Sequence, residues 1–284
     1  MSGRKKSLVS RRTVLGGAAA VGALPLLRPV RGFAADETIG NYPDGVKGDT
    51  VFVGVSSPLT GAYSADGEDH LKGYQLAIEH LNGGGGLVGK IDTLTGKGVL
   101  GKKVIYKYGD TQTQPNPAIQ VQTTFISQNK AIMITGCVSS AVAIALEKLA
   151  QRYKVVNMVG CSGANETTGV DCQRYGFRSQ PSAYMGAKAL APVVGKALGK
   201  KLKAVYLVPD YAYGHSVQHS TTQFTEQELG WKTVGAQVCP LGTTDYSSYL
   251  LNIANSGADV FVNVAFGADA VAAGSARVAL VVVS

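Results

Sequence analysis

The chain has 284 residues, 45% of them hydrophobic and 16% charged, enough for two α/β bodies of ordinary size. Its formal net charge of +8 comes from 27 basic and 19 acidic residues, yet seven basic residues and no acid fall within the first 35. The remaining 20 basic residues face 19 acids, so the rest of the chain is near neutral and lacks the charge excess that nucleic acid or an anionic membrane would need.

Residues 1–34 read as an export leader. Basic residues including Arg11 and Arg12 precede the 14-residue apolar stretch "VLGGAAAVGALPLL", which falls short of the ~20 residues that a membrane-spanning helix needs. "SRRTVL" resembles a twin-arginine signal with Val14 where Phe is usual. Gly32 and Ala34 suit a small-x-small cut, so the mature chain is expected to start near Ala35 and to be periplasmic. In that oxidising compartment Cys161 and Cys172 suggest a disulfide across "CSGANETTGVDC", worth ~3 kcal/mol on a chain-entropy argument. Zinc ligation is the alternative, but no CxxC pair or nearby histidine supports it. Cys137 and Cys239 lie far apart in sequence and suggest no pairing.

From residue 50 onward, strand and helix signals alternate. "TVFVGVSS" (50–57) is a buried-strand run that leads into the hydroxyl-rich loop "SSPLTGAYSADG" (56–67). Leu71, Tyr74, Ala77, Ile78 and Leu81 then form one helical stripe. Asp66, Glu68 and Asp69 lie at the start of that helix, where negative charge is favoured, and "NGGGG" stops it. "KKVIYKYGD" (102–110) predicts a second strand, and "NPAIQVQTTFISQN" (116–129) a helix capped by Asn116 with Pro117 at its first position. "AIMITG" (131–136), "SSAVAIALEKLAQRY" (139–153) and "VVNMVG" (155–160) continue as strand, helix and strand. After "YGFRSQPS" (175–182) the rhythm restarts with helix 183–198, strand 203–209 and helix 213–229, then strand 231–240, helix 245–257 and strand 258–266. Strands separated by helices of this length imply right-handed crossovers and parallel sheets, here in two α/β lobes. Ligands of open parallel sheets sit beyond the carboxyl ends of the strands. The junctions to inspect are therefore 56–67, "TGCVSSA" (135–141), "VGCSGANETTG" (159–169), "VPDYAYGHS" (208–216) and "NVAFGAD" (263–269).

"VGVSSPLTGAYSADGEDHLKGYQLAIEHLNGGGGLVGK", "GCVSSAV" and "PDYAYGHS", in that order, resemble the periplasmic solute-binding proteins of branched-chain amino acid type, over roughly residues 50–271. The resemblance implies an α/β fold, with the two Rossmann-like parallel-sheet lobes of a type I periplasmic binding protein, here at 35–180 and 181–284. It also implies hinge closure on a small amino acid, amide or urea-like ligand, delivery to the membrane subunits of an ABC importer, a monomeric state and no cofactor. A soluble ligand-sensing regulator of the same fold is the alternative. Carried onto this chain, Ser140 stands at the serine that takes the ligand carboxylate. Independently, Ser139 and Ser140 open a helix, where free N–H groups form an anion site or the two side chains simply cap. Ser162, Gly163, Ala164 and Asn165 stand at the family's contacts to an amino acid head group. Tyr213 matches a tyrosine that closes over the ligand from the second lobe, or packs at a helix start. Asp66 stands where well-studied members place an aromatic ring; it suits a more polar or cationic ligand, or caps the helix. Phe266 offers apolar contact from the second lobe, or core packing.

Enzyme readings are weaker. His215 and His219 have a spacing that can present two ligands to a metal, but there is no HExxH pattern and no evident third ligand. No GxSxG elbow is present. The expectation is a binding protein with neither a catalytic nor a metal site. Beyond "NVAFGADAV" the chain runs "AAGSARVALVVVS" and stops, where the resembled proteins continue. The second lobe is therefore expected to be incomplete, through truncation, frameshift or natural shortening.

Overall fold

Strand β1 (Thr50–Ser57) is buried at seven of its eight residues, as a central strand covered on both faces must be. It pairs in parallel with β2 (Lys103–Asp110) on one side and β3 (Met133–Gly136) on the other. β4 (Val156–Val159) and β5 (Gly176–Arg178) extend the sheet to the order β2-β1-β3-β4-β5. The computed structural model describes residues 42–275 except 87, 92 and 95; the expected leader and the chain beyond residue 275 lie outside the described residues.

The strand period of two divides the first core between the faces of the sheet. Val51, Val53 and Val55 pack with Ile78 of α1 (Ser64–Gly83), whereas Phe52 and Ile134 pack against α2 (Pro115–Ser127) and α3 (Ser140–Tyr153) through Phe125, Val142 and Leu146. α1 ends where Gly84 takes a left-handed cap at φ 80° and donates its N–H to the His80 carbonyl. At α2 the expected start is corrected. Gln114 holds the extended cap position and Pro115 comes first, because a proline fixes its predecessor in extended backbone. Pro117 then falls within the first turn, whose N–H groups have no intrahelical acceptors to lose.

After β5 the chain passes through residues 179–182 into α4 (Ala183–Leu198), the one passage between the two sheets among the described residues. β6 (Lys203–Pro209), α5 (Ala212–Leu229), β7 (Lys232–Cys239), α6 (Ser247–Ala254), β8 (Val260–Asn263) and α7 (Gly267–Ser275) follow. Three parallel strands in the order β7-β6-β8 form the second sheet. β6 turns Ala204, Tyr206 and Val208 toward Leu229 and Trp231, and Val205 and Leu207 toward Tyr246, Leu250 and Ile253.

The expected Cys161–Cys172 disulfide is corrected, since both thiols are free. The loop between them is ordered by other means. Residues 165–168 wind into a 3-10 turn, and Asp171 N–H and Gly169 N–H both reach the Glu166 carbonyl. Arg178 donates to the Ala164 carbonyl and the Thr168 hydroxyl. This path leaves Cys161 at the end of β4 and carries Cys172 to an exposed position next to Asp171, which pairs with Lys148 of α3 at 2.9 Å.

Candidate functional site

The order β2-β1-β3 makes the ends of β1 and β3 a topological switch point, where crossovers diverge and leave a crevice. The two strand ends approach closely there because residue 136 is glycine. Its φ is 121°, and a Cβ would fall 1.9 Å from the Ser56 carbonyl oxygen. The hydroxyls at this end are largely engaged within the protein. Ser56 Oγ donates to the Thr135 carbonyl, Ser57 Oγ to the Gly67 carbonyl at 2.6 Å and Ser162 Oγ to the Val138 carbonyl. Ser140 Oγ accepts the Ala164 N–H at 3.1 Å, which ties the start of α3 to the loop after β4. Ser139 is the N-cap residue of α3, yet its side chain makes no capping hydrogen bond.

Facing these strand ends, the loops of the second sheet supply aromatic rings. Tyr213 stands over Gly163 so closely that a Cβ there would lie 2.9 Å from the ring. Tyr63, from the loop after β1, hydrogen bonds through its hydroxyl to Tyr211 at 2.7 Å and packs edge-on against Phe266 at a centroid distance of 5.7 Å. The Tyr211–Tyr213 and Tyr213–Phe266 pairs, at 6.0 and 6.3 Å, complete a circuit of four rings. Burial raises the hydroxyl pKa of Tyr63, Tyr211 and Tyr213, so all three remain neutral donors.

A cavity of about 610 Å³ opens between these surfaces, within the size range of a small-molecule site. Val138, Cys161 and Gly163 line it from the first sheet and Tyr211, Tyr213 and Phe266 from the second, while Ala183, Gly186, Ala187 and Leu190 present one face of α4. No lining residue among the described residues is charged. Burial, aided by Asp66, pushes the Cys161 thiol up and keeps it protonated.

Of the residues singled out from sequence, Gly163, Tyr213 and Phe266 line this cavity. Ser139, Ser140, Ser162 and Ala164 are buried and are not part of the lining. Asp66 is half-buried and faces the backbone of Gly267 at the start of α7. Asn165 bridges the two sheets, donating to Ser220 Oγ and accepting the Tyr184 N–H, both at 2.8 Å. His215 pairs with Asp210 at 2.8 Å. Sequence reasoning missed Tyr63, Tyr211 and the α4 face. The two tyrosines lay inside quoted loops, and Ala183, Gly186, Ala187 and Leu190 follow helical spacing, which by itself marks core as readily as a site.

Comparison with known proteins places the chain among relatives of matching architecture. A family model described as "Periplasmic binding protein" matches residues 50–277. The Leu/Ile/Val-binding protein homolog 7 of Brucella suis is 28% identical over 222 residues, which is 75% of this chain and 52% of the relative. A crystal structure of a periplasmic binding protein from Burkholderia mallei superposes with a TM-score of 0.69 at 25% identity, over 79% of this chain and 56% of that one. A solute-binding protein of an ABC transporter from R. palustris, in complex with 4-hydroxybenzoate, gives 0.63 at 26% identity, over 76% and 54%. The chain thus spans about half the length of the relatives it matches.

Proposed function

Because the chain belongs to the periplasmic binding protein family, we propose that it serves as the extracytoplasmic receptor of an ABC importer, holding a small carboxylate-bearing solute between its two sheets and presenting it to the membrane subunits without chemical change. The observation that carries this reading is the uncharged cavity at the strand ends, walled by Gly163 on one side and by Tyr213 and Phe266 on the other. The N-terminus of α3 opens at the same strand ends, and its first-turn N–H groups, which have no intrahelical acceptor, and its dipole suit a carboxylate. The Leu/Ile/Val-binding homologues and the neighbour that holds 4-hydroxybenzoate bear names consistent with a small carboxylate. The family supports a periplasmic site of action, consistent with the export leader expected in residues 1–34. Titration calorimetry with branched-chain amino acids, hydroxybenzoates, short amides and urea tests the proposal. Saturable binding of a carboxylate, recovered intact afterwards, supports it. Reproducible turnover of any of these, or uptake of urea and amides alone, refutes it.

A further inference from the structure

The ring circuit and the acids around it carry an inference about the other end of the ligand, and it rests on the receptor reading above. Tyr211, Tyr213 and Phe266 all face the cavity, and Tyr63 stands against Tyr211 and Phe266. Successive rings are 5.7 to 6.3 Å apart and are inclined by 48° to 77°, an arrangement of walls rather than a stack. A cation is attracted to an aromatic ring within ~6 Å of its centroid, so three rings lining one cavity can act on one cationic group.

Charge distinguishes a cationic occupant from a neutral apolar one. The cavity has no basic lining residue among the described residues, and two carboxylates outside its lining lie on the elements that carry the rings, Asp66 near Gly267 and Asp269 in the first turn of α7. Asp269 of α7 is buried, accepts the Gly242 N–H at 3.1 Å, and has no basic partner among the described residues. Asp66 faces Gly267, the residue after Phe266, and is likewise without a basic partner among the described residues. Burial is the main cause of the raised Tyr63 hydroxyl pKa, and both carboxylates add to it. Acids placed this way oppose a second anion and complement a cation.

We propose that the rings of Tyr211, Tyr213 and Phe266, backed by Tyr63 and flanked by Asp66 and Asp269, receive an alkylated ammonium group, so that the ligand is a small N-alkylated zwitterion. A fully alkylated group of this kind has no N–H to satisfy, which suits a wall made largely of aromatic rings. Its carboxylate end belongs at the start of α3.

Calorimetry on the full chain with three probes tests the assignment: glycine betaine, its uncharged-head isostere 3,3-dimethylbutanoate, and leucine. The two first probes match in shape and carboxylate and differ only in the head charge. Betaine is expected to bind at least about tenfold more tightly than the isostere or leucine. Tyr213→Leu should collapse the betaine-to-isostere ratio toward one, whereas Tyr213→Phe should preserve it, because the face remains. Equal or tighter binding of the isostere or of leucine overturns the cationic assignment and leaves the receptor reading in place. Failure of all three probes and of the wider panel overturns both.

Discussion

Glu147 lies on α3 with its side chain fully buried, and neither carboxylate oxygen has a hydrogen-bond partner among the described residues. It presses against β5, where a Cβ on Gly176 would fall 2.6 Å from Oε1. Burial pushes its pKa up to about 7; Arg178 opposes the shift and Asp171 adds to it. An unfolded glutamate titrates near 4.3, so the native state holds the proton more tightly. The stabilisation is therefore complete below about pH 4.3 and is lost as pH rises through about 7. Glu147→Gln keeps the shape and removes the titration. Urea unfolding between pH 5 and 8 should show the variant gaining on the parent as pH rises, by roughly 2–3 kcal/mol at the upper end. Parallel pH profiles would place the proton elsewhere. Ser140 gives a second test at this scale. Removing its hydroxyl leaves the buried Ala164 N–H without its acceptor, at a cost of about 1–3 kcal/mol. In Ser140→Ala the Ala164 amide should exchange faster and the affinity for the carboxylate ligand should fall. Unchanged exchange would show that this bond does not hold the loop after β4.

The 3-10 turn at 165–168 behaves as a bracket between the two halves. Its first residue, Asn165, accepts from Tyr184 N–H at the start of α4 and donates to Ser220 of α5, and its own N–H reaches Ser216 Oγ at 2.9 Å. Ser182 also caps α4, accepting from Met185 N–H, so the helix has one cap from its own chain end and one from across the cleft. Asn165→Ala should lower stability by about 1–2 kcal/mol, as loss of a helix cap does, and thermal unfolding would register it. No change would mean that Ser182 suffices. The uneven legibility of the sequence at this scale has physical causes. The run "TVFVGVSS" and the helix "AYMGAKALAPVVGKAL" were readable to the residue, because a buried strand and a long periodic helix each repeat their pattern several times. β5 has only three residues, too few to display a period. α7 is dominated by Ala and Gly, which mark no stripe. The serines of the strand ends were legible as a cluster, but not their engagement with carbonyls, which depends on how far β1 and β3 approach at Gly136. Tyr63 acquires its role only from Tyr211, 148 positions away. The cysteine spacing misled, because it carries no information on the 3-10 turn that separates the two thiols.

Across the whole molecule, hydrogen bonds join the two sheets. Tyr63 and Tyr211 share a hydroxyl–hydroxyl bond, Ala183 N–H donates to the Gly163 carbonyl at 2.7 Å, and Asn165 bridges to α4 and α5. Interfaces between lobes of one chain allow relative motion by default, so a ligand seated between the sheets should reinforce them. Saturation at a hundred times the dissociation constant stabilises by ~2.7 kcal/mol, and a chain of this size should melt some 5–10 °C higher. The tyrosine pair shows whether that gain passes through closure. Tyr63 is buried, so Phe at either position leaves the other hydroxyl short of a partner inside the protein, costing about 1–3 kcal/mol. Replacing both removes donor and acceptor together, which is close to neutral for groups of equal shape. The singles should therefore lower the melting temperature of the ligand-bound form, while the double variant should fall no lower than either single. The positive coupling should shrink without ligand if the sheets separate when empty, since the hydroxyls then meet water instead of each other. Strict additivity of the two substitutions with ligand bound would mean that the hydroxyls never meet, and closure would rest on the remaining contacts between the sheets, such as those of Asn165 and Gly163.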